Sequence, residues 1–117
     1  MFLAYDGDKV GAKLESLLIE NDEIKIESFA KEVSFVLNLL KNSLLEKGCK
    51  IIFASGDSLL AKCNNQFDPD NIKRTYGQIS FSLGIGNSPL EAMLALKKAK
   101  ANGRGGYKFY TLKECRE

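Results

Sequence analysis

"CKIIFASGDSLLAKC", residues 49–63, consists of two apolar runs around the polar centre Ser55-Gly56-Asp57-Ser58. Isoleucine-, phenylalanine- and leucine-rich runs that meet at a Gly-Asp pair read as a β-hairpin whose tip carries a carboxylate. Helical periodicity lies upstream of it. Val33, Val36, Leu37, Leu40 and Leu44 form one stripe, closed by Gly48, and Val10, Leu14, Leu17 and Leu18 form another before the break "ENDE" at 20–23. Downstream, Ser88-Pro89-Leu90-Glu91 marks a helix start: serine to cap, proline for the first turn, glutamate three residues after the serine. Ala92, Ala95, Leu96 and Ala99 give that helix a small-residue face suited to close packing on a sheet, and Gly103 ends it.

Three further strands complete the pattern: Phe2 to Tyr5, "QISFSLGIG" at 78–86 and "YKFYTL" at 107–112. The turn-rich "NNQFDPDNIKRTYG" at 64–77 reads as a loop with one helical turn after Pro69. The order β-α-α-β-β-α-β predicts a single α+β domain over 1–117, a variant of the ferredoxin-like split βαβ arrangement. Its antiparallel sheet is expected to carry the helices on one face. The first strand should lie centrally, antiparallel to its hairpin neighbour, so that Asp6, Asp8 and Asp57 converge at one edge.

The 117 residues include 44% hydrophobic and 27% charged side chains, an ordinary soluble composition that supports a core without staples. A net charge of +2 gives no strong field for long nucleic acid or an acidic membrane, so phosphate affinity must be local. The sequence has no histidine, which excludes Ser-His-Asp and Cys-His catalysis and His-ligated zinc. Cys49, Cys63 and Cys115 are odd in number and lack CxxC spacing, so free, inert thiols in a reducing compartment are expected. No apolar run approaches membrane-spanning length, and a cytoplasmic location is expected.

Chemistry therefore falls to carboxylates, lysines and backbone groups. Asp8 taken alone reads as a helix N-cap for the amides of Val10 or Gly11, and Asp57 taken alone as a turn residue. Asp6 fits neither role, because one acid suffices for a cap. Carboxylates clustered without a basic partner repel one another, and a divalent cation relieves that repulsion. Lys97, Lys98, Lys100 and Arg104 read mostly as a solvated face, although Lys100 and Arg104, spaced i, i+4 across the helix end, could both reach one anionic ligand. The glycines of "ANGRGGY" at 101–107 read as a helix stop and a turn, since a phosphate-cradling loop precedes its helix.

"YDGDKVG", "FASGDSLLA" and "SFSLGIG…EAMLALKKAKANGRGG" together resemble the palm domain of GGDEF diguanylate cyclases and of the polymerase subunit of type III CRISPR complexes. The stand-alone minimal CRISPR polymerase (mCpol) family is the resemblance that spans nearly the whole chain. It implies a nucleotidyltransferase that joins nucleoside triphosphates into cyclic oligonucleotides in bacterial anti-phage defence. The resemblance implies two Mg²⁺ or Mn²⁺ ions on Asp6, the Gly7 carbonyl and Asp57, with Asp8 as a further ligand or as the cap. Such ions about 4 Å apart activate a hydroxyl and stabilise leaving phosphate oxygens without histidine.

In the same terms Lys100 and Arg104 match the AKxxGR segment that contacts triphosphate. Lys9, Val10 and Gly11 offer backbone amides to phosphates, and Gly56 and Ser58 border them at the hairpin tip. Ser58 stands where the CRISPR polymerases carry a second acid, which keeps open an alternative: an inactive palm that senses a nucleotide. Leu14 falls near the guanine-reading asparagine of diguanylate cyclases and has no polar group, so ATP is the expected substrate. A homodimer and a separate effector that responds to the cyclic product are the expected partners.

Overall fold

A computed structural model describes residues 1–112. In chain order the elements are β1 (Phe2–Gly7), α1 (Val10–Ile19), α2 (Glu23–Glu46), β2 (Lys50–Ser55) and β3 (Ser58–Lys62). They continue through a single 3-10 turn (Pro69–Asn71), β4 (Thr75–Tyr76), β5 (Ile79–Gly86), α3 (Pro89–Ala101) and β6 (Tyr107–Phe109). The α+β class and the order of the elements are as the sequence leads one to expect. The short β4 is an addition, the last strand stops at Phe109, and Cys115 lies outside the described residues. No helix among the described residues is long and apolar enough to cross a membrane.

Local chemistry sets the element ends. Asp22 caps α2 by accepting from the Lys25 amide at 3.0 Å, and Ser88 caps α3 by accepting from the Glu91 amide at 3.1 Å. The β2–β3 turn is the two residues Gly56-Asp57, with Gly56 at φ 61° in the first turn position. That geometry matches the twist of the strands it joins. Leu18, predicted for the buried face of α1, is exposed, and Leu17 is the helix's buried residue.

The sheet runs β2-β3-β1-β5-β4, with β6 pairing with β5 in parallel and the other neighbours antiparallel. Alternate residues of a strand face opposite sides. Leu3, Tyr5, Leu59, Ala61, Phe81, Leu83 and Ile85 therefore meet Val33, Val36, Leu37, Leu40 and Leu44 of α2 in one core. The other face of β5 carries Ser80, Ser82, Gly84 and Gly86 and receives α3. Helices thus cover both faces rather than the single face expected, because β5 is buried along its whole length. A strand buried on both sides needs a cover on each.

The cysteines also depart from expectation. Cys49 and Cys63 form a disulfide with Cα atoms 4.6 Å apart. A plain two-residue hairpin pairs Ser55 with Ser58 and, carried on without interruption, would set Cys63 against Lys50. The register instead shifts between Ile51 and Phe53, so Lys50 pairs with Lys62 and the cysteines come opposite one step further on. The free-thiol argument for a reducing compartment does not hold for this pair.

The contact of α3 with the sheet is close. A Cβ at Gly84 would overlap the Ala92 carbonyl and the Leu96 amide, and one at Gly86 would sit 2.8 Å from the Ala92 amide. Both obstacles are backbone and cannot swing aside. Gly84→Ala is expected to cost at least about 2 kcal/mol, read as a lowered midpoint in urea denaturation. An unchanged midpoint would show that α3 floats on the sheet.

Candidate functional site

The antiparallel register brings the acids to their places. Asp6 pairs with Ser58 of β3 on one side and Ser82 of β5 on the other. The Asp57 carbonyl accepts from the Gly7 amide at 2.9 Å, so the hairpin tip is tied to the end of β1. Gly7 permits this approach: a Cβ there would lie 3.0 Å from Asp57 Oδ2 and 2.7 Å from Val10 Cγ2.

Asp6 accepts from the Ser58 hydroxyl at 2.7 Å through Oδ1, and its Oδ2 meets Lys100 Nζ at 2.7 Å. The same ammonium donates to the Gly7 carbonyl at 2.9 Å. The Asp57 carboxyl is held above the usual carboxylate range, first by partial burial and then by the negative charge of Asp6. Lys100 and local backbone amides oppose that rise without cancelling it.

This arrangement bears on whether the residues fit a divalent cation. Two carboxylates and a carbonyl supply only hard oxygen donors, the kind magnesium and manganese take. A positive charge, the Lys100 ammonium, already bridges Asp6 and the Gly7 carbonyl. Magnesium is commonly held by one or two carboxylates, with waters and substrate phosphates completing its shell. The donor set fits on these terms.

Asp8 is placed differently from both of its expected roles. Its amide donates to the Ser80 carbonyl at 2.8 Å, extending the β1–β5 ladder past Gly7. Its carboxylate then accepts from the hydroxyls of Ser80 and Ser82 and from the Gly105 amide. The expected three-carboxylate cluster does not form, and no group of three potential metal-ligating side chains occurs among the described residues. Asp6 leans toward β3 and Asp8 toward β5. Nor does Asp8 cap α1: the N-cap is Lys9, in the left-handed region at φ 57° and with no capping side chain. The first-turn amides at Val10 and Gly11 are thus not claimed by Asp8.

A cavity of about 560 Å³ opens beside this turn, walled in part by Lys9, Val10, Lys13, Phe29, Gln78 and Arg104. Three of these six are cations, and the Asp8 carboxylate also lines the wall. Arg104 donates to the Gln78 carbonyl at 3.0 Å. Lys100 and Arg104 hold different partners, since α3 stops at Ala101 and the chain turns at Gly103 with φ 121°. Gly11 is exposed, Gly56 and Ser58 sit at the hairpin tip, and Leu14 is half-buried and outside the cavity wall.

Several contributors are not apparent from motifs. Lys13, Phe29 and Gln78 reach the cavity from separate elements. Arg74, 15% exposed at its side chain, donates to the carbonyls of Pro69 and Gly105. Ser80 and Ser82 had a signal: in "ISFSLGIG" both share the strand face opposite Phe81.

Residues 2–110 match the minimal CRISPR polymerase domain family, mCpol. The chain belongs to that family of CRISPR-associated polymerase-like domains. No curated protein and no solved structure matches it.

Asp57→Asn separates site from scaffold. Because burial and Asp6 raise the folded-state pKa of Asp57, the native state binds more protons than the unfolded chain between the ordinary and the raised value. Its contribution favours folding at low pH and is lost as pH rises through the raised pKa. Without metal, Asp57→Asn should therefore melt at or slightly above the wild type at neutral pH, with the difference vanishing in acid. With Mg²⁺ and ATP the order should reverse, since only the wild type gains ligand stabilisation. Identical melts of the two proteins under all three conditions would mark Asp57 as a turn residue.

Proposed function

We propose that this mCpol-family chain is a divalent-metal-dependent nucleotidyltransferase that makes cyclic oligonucleotides from ATP. The observation that carries the reading is the meeting of Asp6, the Gly7 carbonyl and the hairpin bearing Asp57 around one positive charge, beside a cation-lined cavity. In the reaction, a ribose hydroxyl oxygen of one nucleotide bonds to the α-phosphorus of another. The bond from that phosphorus to the bridging oxygen breaks, pyrophosphate leaves, and the hydroxyl proton passes to solvent water.

Bound Mg²⁺ or Mn²⁺ supplies charge stabilisation at the attacking and leaving oxygens. The protein's own part is positioning and electrostatics. Asp6, Asp57 and the Gly7 carbonyl would hold the cation. Ser58 orients Asp6 through its hydroxyl, and Lys100 at the same end of β1 would lend its charge to the triphosphate. The amides at the start of α1, Lys9 to Gly11, face the phosphates, with Gly56 at the hairpin tip. Arg104, Lys9 and Lys13 neutralise charge along the cavity, which takes the nucleotide.

The second reading is a nucleotide sensor without turnover. The Ser58–Asp6 hydrogen bond favours it, since a neutral donor stands where a second acid would add a ligand. In either case ATP, a cytoplasmic setting where ATP is abundant, and a separate effector in anti-phage defence complete the proposal. Neither long nucleic acid nor a membrane is required.

Incubation of the protein with each nucleoside triphosphate and Mg²⁺ or Mn²⁺, followed by mass spectrometry, decides between turnover and sensing. Cyclic adenylate products and pyrophosphate are expected, and both should disappear in Asp6→Asn. Tight ATP binding with no product would establish the sensor. GTP consumed faster than ATP would overturn the substrate assignment.

A dimer is expected as the working unit, because one carboxylate pair serves one triphosphate while a cyclic dinucleotide joins two. Light scattering with a non-hydrolysable ATP analogue should report twice the monomer mass. A fully active strict monomer would refute this.

A further inference from the structure

Arg104 lies on the cavity wall, yet α3 does not place it there: the helix ends at Ala101 and Arg104 follows in a glycine-rich turn. Two side chains from distant parts of the chain hold its neighbour. The Gly105 amide donates to Asp8 Oδ2 at 2.8 Å, and the Gly105 carbonyl accepts from Arg74 Nε at 2.9 Å. Both holders are themselves anchored. Asp8 accepts from the hydroxyls of Ser80 and Ser82 on β5. Arg74 donates to the Pro69 carbonyl at 3.0 Å and lies over the Tyr107 ring, 4.7 Å from its centroid. Gly105 has φ 69°, where glycine is favoured, and a Cβ there would sit 3.3 Å from Thr75 Oγ1.

We propose that Asp8 and Arg74 are positioning residues, a clamp on both sides of Gly105 that presents the Arg104 guanidinium to the phosphates of a nucleotide in the cavity. The identity of that ligand rests on the nucleotidyltransferase reading, whereas the clamp does not. A turn with glycines at 103, 105 and 106 is costly to order, at about 1–2 kcal/mol per residue. A turn fixed in advance removes that cost from ligand binding. The clamp also divides the work within "DGD": Asp6 faces the cation, and Asp8 holds the opposite loop.

The side chain of asparagine distinguishes this role from metal ligation. Its oxygen accepts from the Gly105 amide as a carboxylate does, and its nitrogen donates to a serine hydroxyl. It lacks the charge that holds a divalent cation. Asp8→Asn therefore keeps the clamp, and Asp8→Ala removes it.

The test uses the full chain and two readouts: hydrogen exchange of the Gly105 amide, and ATP affinity measured in EDTA. In Asp8→Ala, Gly105 should exchange at least about tenfold faster, and ATP should bind about tenfold more weakly. Asp8→Asn should keep the Gly105 protection of the wild type and bind ATP no more weakly, since it only removes a negative charge from the cavity wall. In an Arg104→Ala background, Asp8→Ala should add no further loss, because its effect on binding runs through that arginine. The clamp is overturned if Gly105 stays protected in Asp8→Ala, if Asp8→Asn is as damaging as Asp8→Ala, or if the two losses add in full. Should Asp8→Ala fail to fold, retention of both properties in Asp8→Asn supports the proposal, and loss of either overturns it. A wild type that does not bind ATP sinks the nucleotidyltransferase reading, and Gly105 exchange then decides the clamp alone.

Discussion

The close seating of α3 on β5 is the constraint on which the site depends. Gly84 and Gly86 bring the helix backbone down to the strand, and the small side chains Ala92, Ala95 and Ala99 are buried at that contact. Helix and strand then run back together. From Ala92 to Lys100 the helix rises ~12 Å, close to the ~10 Å of strand between the Gly84–Gly86 contact and Ser82. Ser82 is the β5 partner of Asp6. Lys100 therefore arrives over the end of β1, and its ammonium reaches both Asp6 and the Gly7 carbonyl. A side chain larger than hydrogen at Gly84 would lift the helix and withdraw that charge.

The electrostatics of the site follow from what the backbone brings near. Gly7 lets the hairpin tip close onto β1, which sets Asp57 within the field of Asp6 and partly out of water. Desolvation and like charge both act against the ionised carboxyl, and Lys100 only partly offsets them. A small domain without histidine has few other means of concentrating charge. Both signs of charge gather around the Gly7–Val10 turn: Lys100 sits on Asp6, and Asp8 shares the cavity wall with Lys9, Lys13 and Arg104.

The hairpin shows how one irregular residue propagates. The register shift at Ile52 brings Cys49 opposite Cys63 and leaves Ile52 and Phe53 about half exposed on the edge strand. At the other end of the same hairpin the pairing is regular, so Ser58 stays opposite Asp6. The disulfide therefore fastens the end of the hairpin that is remote from Asp57, and the tip keeps the register the site needs.

By itself the sequence determined the elements other than β4, and the chemistry of several of their ends. The α2 stripe, the Ser88-Pro89 helix start, the Gly56-Asp57 turn and the apolar first strand are local signals, carried by periodicity and by residues with special backbone or capping behaviour. The pairing of Asp6 with the hairpin tip was legible too, since a central first strand antiparallel to a hairpin leaves one geometry for them. Only tertiary structure decided the rest, because the relevant interactions join residues far apart in the chain. Asp8 reads as a cap or a ligand in "DGD", and its actual role depends on Ser80, Ser82 and Gly105 lying across the sheet from Ser58. The disulfide depended on a one-residue bulge that no composition announces. The second face of the sheet depended on the burial of β5 on both sides, a property of packing that an alternating pattern of serines and glycines does not express.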